Sequence, residues 1–190
     1  MHKKGKIERK RIVVLGFEGK NNKTESNYFS HFKPKSDRYI LKSFSCGVTD
    51  PRNMIKSAKE KRKDYDYKVK EDLTFLFVDC DCDESKSKLV DELQSKQEKD
   101  LIIIKSNPCF ELWFLNHFCK TTKEFKNSSE LIRELNNHLP NYEKNKDYYG
   151  VLKDKIEIAI KNSKDQLEVA NSKSFTEAYK IISQTIEPKD

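Results

Sequence analysis

Up to about residue 120, short apolar runs alternate with charged segments whose hydrophobic positions recur at helical spacing. Arg11-Ile12-Val13-Val14-Leu15-Gly16-Phe17 is β-branched and apolar and reads as a buried strand. Thr24 to Phe32 reads as a helix capped by Thr24, with Tyr28, Phe29 and Phe32 on one side. Arg38 to Phe44 is the second strand. Asp50-Pro51 opens a charged helix that runs to Tyr65, with Asp50 as cap and Pro51 in the first turn. Leu73-Thr74-Phe75-Leu76-Phe77-Val78 is the clearest strand. It ends in a run of acids, and a polar helix follows from Glu84 to Gln97. Leu101-Ile102-Ile103-Ile104 is the fourth strand, and Asn107-Pro108 leads into an apolar helix from Cys109 to Phe118.

Strands alternating with helices predict βαβ units and a mainly parallel sheet covered on both faces. The pattern weakens after Cys119, where 128–139, 150–169 and 174–186 read as helices. The expected architecture is an α/β core over residues 1–120 and a helical C-terminal extension over 121–190 packed on it. No repeat and no Ser/Gly linker separates the two.

Composition narrows this picture. A chain of 190 residues is the length of one domain, enough to bury roughly 70% of its unfolded surface. Hydrophobic residues make up 35% and charged residues 36%, so the core must be compact and the surface heavily charged. No apolar run is long enough to span a membrane. Met1-His2-Lys3-Lys4-Gly5-Lys6 is basic but no apolar stretch follows it, which leads to the expectation of a cytoplasmic protein. The formal net charge of +7 suits attraction to phosphate backbones, although a merely solvated lysine-rich surface carries the same charge. The five cysteines are expected to be reduced thiols.

Candidate chemistry gathers where strands end. Ligands of an open parallel sheet collect at the carboxyl ends of its strands. The first strand runs into Phe17-Glu18-Gly19, the third into Asp79-Cys80-Asp81-Cys82-Asp83, and the fourth leads to a helix bearing Glu111. If these strands are neighbours, Glu18, Asp79, Asp81 and Glu111 share one rim. Crowded carboxylates repel, and hard divalent ions with oxygen ligands, Mg2+ or Mn2+, relieve that cost. Alternating acids after a strand fall on one side if the chain stays extended. An EF-hand fails because Glu84 and Val90 stand where glycine and glutamate are required. Gly16-Phe17-Glu18-Gly19-Lys20 is not a phosphate-binding glycine loop, and Cys80 with Cys82 lacks the spacing of a zinc site. Cys109, Cys119, His117 and the aromatic set Phe110, Trp113, Phe114 and Phe118 read as packing residues. Tyr142, Lys144, Tyr148 and Tyr149 interleave aromatic and basic character, which suits either nucleic acid or simple packing.

Three segments carry a family resemblance: Glu18-Gly19 with Thr24-Glu25-Ser26-Asn27-Tyr28-Phe29, then Val78-Asp79-x-Asp81, then Ser106-Asn107-Pro108-Cys109-Phe110-Glu111-Leu112-Trp113. The chain resembles the RloB-like proteins, a group with a Toprim-like fold found beside restriction and abortive-infection loci. Tyr142-x-Lys144 and the segment from Asn171 to Ile182 are similar to the family's C-terminal signals.

The resemblance implies a Toprim-like sheet with a metal site of Glu18, Asp79 and Asp81, with Glu25 and Glu111 as further members. It also implies a separate ATPase partner, since this chain carries no ATPase motif. The loop from Glu18 to Thr24 is longer than is usual in the family. The resulting expectation is a Mg2+-dependent nuclease-like effector of antiphage defence acting on DNA or RNA, with Mn2+ as a substitute ion. Lys20, Lys23 and Lys105 would offset phosphate charge, and Ser106 would orient a phosphate or cap a helix. The alternative is a non-catalytic module that binds nucleic acid or a protein partner. A phosphatase-like enzyme with Asp79 as nucleophile ranks behind both, because its Asp-x-Asp belongs after the first strand.

Overall fold

The computed structural model describes residues 9–20, 24–169 and 172–189. Lys23 and Asn171 lie outside them. The described chain forms β1 (Arg11–Phe17), α1 (Thr24–Phe29), β2 (Phe32–Pro34), β3 (Tyr39–Ser45), α2 (Pro51–Arg62), β4 (Leu73–Asp79), α3 (Glu84–Ser95), β5 (Leu101–Asn107) and α4 (Glu111–Asn116). It continues through α5 (Ser128–Asn136), α6 (Tyr149–Leu152), α7 (Ile156–Glu168), β6 (Phe175–Thr176), α8 (Tyr179–Gln184) and β7 (Ile186–Pro188).

The main sheet has the order β3-β1-β4-β5-β6. β1, β3, β4 and β5 run parallel, and β6 pairs antiparallel with the end of β5. The molecule is thus mixed α/β with a mostly parallel central sheet flanked by helices and a helical C-terminal region. Alternation along each strand sorts side chains onto two faces. Val13, Leu15, Phe17, Phe75, Phe77 and Ile104 join one core, with Tyr28 and Phe29 of α1 and Leu112, Trp113 and Phe114 of α4. Leu76, Val78, Leu101 and Ile103 point the other way, onto Met54, Ile55 and Ala58 of α2 and Val90 of α3.

Local signals fix the helix starts. Asp50 caps α2 by accepting the Asn53 N–H, with Pro51 at its head. Asp83 caps α3 by accepting the Ser85 and Lys86 amides. Beneath the sheet, the buried Arg62 guanidinium lies 3.3 Å from Asp100 and donates to the Thr74 hydroxyl.

Two expectations change. Phe32 does not extend the first helix; it opens β2, which pairs antiparallel with β7. The segment read as a helix over 174–186 divides into β6, α8 and β7. Its two-residue and three-residue strands are too short to leave a period in the sequence, and they are specified by their partners, Ser106-Asn107 and Phe32-Lys33-Pro34. Among the described residues, no helix is long and apolar enough to cross a membrane.

Gly16 is required by close approach. A Cβ there would meet Leu76 Cδ2 at 2.5 Å and Phe44 Cε1 at 2.9 Å. Both rings and branches are held in the layer beneath α2, so Gly16→Ala should lower stability by about 1–3 kcal/mol through overpacking. Urea unfolding of the two proteins measures this, and an unchanged midpoint would mean that the layer yields.

Candidate active site

The strand order places a topological switch at β1. The chain goes from β1 to β3 on one side, then returns with β4 on the other. The crevice outside the carboxyl ends of such neighbouring strands is where open α/β sheets hold ligands. Here those ends are Glu18, which follows β1, and Asp79, which closes β4.

At the end of β1 the backbone turns sharply. Gly19 has φ +75°, its N–H donates to the Val48 carbonyl at 2.9 Å, and its own carbonyl receives the Gly47 N–H and the Ser45 hydroxyl. The turn leaves Glu18 half-buried against β4, where its Oε2 accepts the Asp79 N–H at 3.1 Å. Burial holds Glu18 above the ordinary carboxylate range, against the opposing pull of Lys86 and the Asp79 amide.

Asp79 is the centre of the cluster. Its Oδ1 accepts the Phe110 N–H at 2.9 Å, where the chain enters α4. Its carboxyl is pushed well above the ordinary range, first by burial and then by the charges of Glu25, Glu111, Glu18 and Asp81. The other four acids singled out in the sequence therefore all act on Asp79 through their charge.

Each of the neighbours arrives by its own route. Glu25 is buried in the first turn of α1. Glu111 is buried in α4 and accepts the Tyr142 hydroxyl at 2.9 Å, with Lys144 Nζ at 3.4 Å from the same oxygen. Asp81 is exposed, and Lys86 Nζ lies 2.8 Å from its Oδ2 and 3.4 Å from Glu18 Oε1.

The Asp-x-Asp segment is not extended. Asp81 and Cys82 both take left-handed backbone angles, φ 55° and 60°. Such a pair of non-glycine residues carries strain, and neighbouring groups hold it: Pro108 O accepts the Asp81 N–H and Asn107 Oδ1 accepts the Cys82 N–H. The turn removes Asp83 from the rim and makes it the cap of α3.

The basic residues expected at the rim are distributed differently. Lys105 pairs in register with Val78, so it points to the α3 face, and its ammonium sits 2.6 Å from Asp91. Lys20 is exposed beyond Gly19, and Lys23 lies outside the described residues. Ser106 stands beside Asp79 in register, but its hydroxyl pairs with Thr176 at 2.8 Å and caps no helix. Among the described residues, Lys86 and Lys144 form ion pairs with these acids. Lys86 was legible only as the residue three beyond the Asp83 cap; Lys144 was visible as part of an aromatic and basic segment. In that segment Tyr142 and Tyr149 are buried packing residues. His117 is likewise packed, with Nδ1 on the Trp113 carbonyl and Nε2 beside the Tyr28 hydroxyl, and burial lowers its pKa to about 4.

The donor set suits a hard divalent cation in kind, since it is carboxylate oxygen throughout. In arrangement, no group of three or more His, Cys, Asp or Glu side chains among the described residues is gathered to hold a metal by itself. Mg2+ does not demand such a cage. It binds through one or two carboxylates and completes its shell with waters and substrate phosphates. A cleft of about 450 Å3 opens beside the Asp81-Cys82 turn, lined in part by Asn107, Phe125, Lys126, Lys173 and Phe175.

Compared with known proteins, residues 13–184 match a family model described as RloB-like protein. No curated protein and no solved structure matches the chain.

The crowding at Asp79 has a pH consequence. A carboxyl raised in the folded state favours its protonated form there, so stability rises as pH falls through the folded pKa. Asp79→Asn keeps the acceptor for Phe110 and removes the charge. It should melt a few degrees above the parent at about pH 8, a gain of about 1 kcal/mol, with the gap closing toward about pH 5. Thermal melts across that range test it, and a variant that melts lower at every pH would show that the Asp79 charge is already compensated.

Proposed function

This chain belongs to the RloB-like family, and from that premise we propose that it is a metal-dependent phosphodiesterase that cuts nucleic acid. The observation that carries the reading is the negative charge that Glu18, Glu25, Asp81 and Glu111 all bring to bear on the part-buried Asp79 at the switch point of a parallel sheet. Structural ion pairs bring opposite charges together; this cluster gathers like charges, an arrangement typical of sites where charge is put to use.

Glu18, Asp79 and Asp81 are the residues that would hold Mg2+ or Mn2+. The ion would supply Lewis acidity toward a bridging phosphate and a lowered pKa for attacking water. The Phe110 amide fixes Asp79, and the Asp79 amide fixes Glu18, so two ligands are oriented by backbone groups rather than by mobile side chains. Glu111, whose Oε1 accepts the Tyr142 hydroxyl, would be the acid to accept a proton from the attacking water. Glu25 contributes negative charge from the first turn of α1. A formal net charge of +7 favours a polyanionic substrate, and recognition through the backbone would carry little base preference. The family's setting beside restriction and abortive-infection loci supports a role in antiphage defence, with a separate ATPase as partner.

A second reading has its own observation. Lys86 already bridges Glu18 and Asp81 as an internal cation, as expected of a module that binds nucleic acid or a partner without metal.

Calorimetry with Mg2+ and Mn2+ separates the two, beside cleavage assays on RNA and DNA. Saturable binding in the parent, lost in Glu18→Gln and Asp79→Asn, is expected together with a fall in cleavage on the order of 100-fold or more. A parent that binds neither ion, with or without nucleic acid, would overturn the hydrolytic reading in favour of the binding module.

A further inference from the structure

We propose that Lys144 contacts the backbone phosphate of a nucleic-acid strand lying along the carboxylate rim. The inference rests on the phosphodiesterase reading and identifies one cation that faces its substrate.

A rim of five acids repels a polyanion unless a cation is presented beside it. Lys105 is removed to the opposite face of the sheet and paired with Asp91. Lys86 is committed to two carboxylates, and its side chain is only 16% exposed. Lys144 differs on both counts: among the described residues it forms an ion pair with a single acid, Glu111, with Asp79 acting on it from farther off, and its side chain is 53% exposed. An ammonium has three N–H donors. Glu111 needs little from it, because that carboxylate is buried and already receives the Tyr142 hydroxyl at 2.9 Å.

The loop that carries Lys144 is held on both sides. Asn136 Oδ1 accepts the Tyr142 N–H at 3.0 Å, and Tyr148 Oη accepts the Glu143 N–H at 2.8 Å. The Asn145 N–H donates to Thr24 Oγ1 at 3.0 Å, and the Asn145 carbonyl receives Asn27 Nδ2 at 2.7 Å. Asn141 and Asn145 take left-handed angles, φ 59° and 68°, and so turn the chain at each end of the segment. Asparagine tolerates that region better than most residues. A half-exposed ammonium on so constrained a loop meets a phosphate with little ordering cost, as preorganised sites do. Lysine serves there as a point charge, which suits one phosphate rather than a base edge.

Each phosphate contact that displaces a counterion adds roughly 0.7 to the salt slope of single-strand binding. The test is equilibrium binding of fluorescein-labelled single-stranded RNA and DNA oligonucleotides of mixed sequence to the whole chain. Ca2+ replaces Mg2+ so that strands stay intact, and binding is followed over a salt series. Lys144→Ala should bind about tenfold more weakly with a slope lower by roughly 0.7, while Lys144→Arg restores both. Lys161→Ala, an exposed lysine on α7, should change neither. Lys144→Arg and Lys161→Ala should share the parent's melting temperature, and Lys144→Ala is compared at a temperature where it remains fully folded.

A Lys144→Ala protein with the parent's slope, or one that loses no more than Lys161→Ala, overturns the proposal. So does a parent that binds neither oligonucleotide. If the slope falls as expected but the parent never cleaves in Mg2+, the phosphate contact stands and the hydrolytic reading fails. Cleavage that needs Glu18 and Asp79 while ignoring Lys144 gives the reverse result.

Discussion

Repulsion among the carboxylates around Asp79 is the constraint to which the rest of the site is fitted. Parallel pairing of β1 with β4 puts the ends of two buried strands side by side, and each end carries an acid. Once Glu18 and Asp79 are neighbours, their ionised forms need donors. The chain supplies them from separate elements: the Phe110 amide at the head of α4, the Asp79 amide itself, and Lys86 from α3. Glu111 brings a further charge into the same space and is met by Tyr142 and Lys144. These groups lower the cost of the cluster without removing it, since Asp79 remains well above the ordinary carboxylate range. A part-buried carboxyl kept in that state favours its protonated form unless a cation stands beside it.

The α/β order was legible because its strands are strongly apolar and its helices carry local starts. Ile12 to Phe17 and Leu73 to Val78 are too β-branched and aromatic to read otherwise, and Asp50-Pro51 marks a helix in any fold. The rim acids were legible for the same reason, since an acid directly after a buried strand must emerge at a sheet edge. What failed were features specified across long separations. β6 exists because Phe175 and Thr176 find the end of β5; nothing local to the two residues says so. Lys105 follows an apolar strand and looked like a rim cation, yet a single step of strand alternation sends it to the other face. Lys86 had no signal beyond its place three residues after Asp83.

The C-terminal region takes part in the same arrangement. α4 bears Glu111 and lies against α5 and α7, and the Asn116 side chain at its end is tied to Ser163 and Gln166 of α7. Buried polar groups satisfied in this way fix one relative placement of the two helices. That placement brings the loop with Tyr142 and Lys144 over Glu111 and joins it to Thr24 and Asn27 of α1. The position of Glu111 in the site is thus set from residues more than a hundred positions apart in sequence, counting from Asn27 to Asn145.

The turn at Asp81 and Cys82 shows how local strain serves this design. An extended continuation of β4 would have set Asp79, Asp81 and Asp83 on one side and left their repulsion uncompensated. Two left-handed residues redirect the chain instead, and Asn107 and Pro108 hold the turn through the Cys82 and Asp81 amides. Asp83 then caps α3, and the first turn of that helix carries Lys86 back to Glu18 and Asp81. A run of acids becomes a pair of rim carboxylates with a cation between them. The strained backbone is the local cost of that conversion, placed two residues beyond Asp79 at the end of β4.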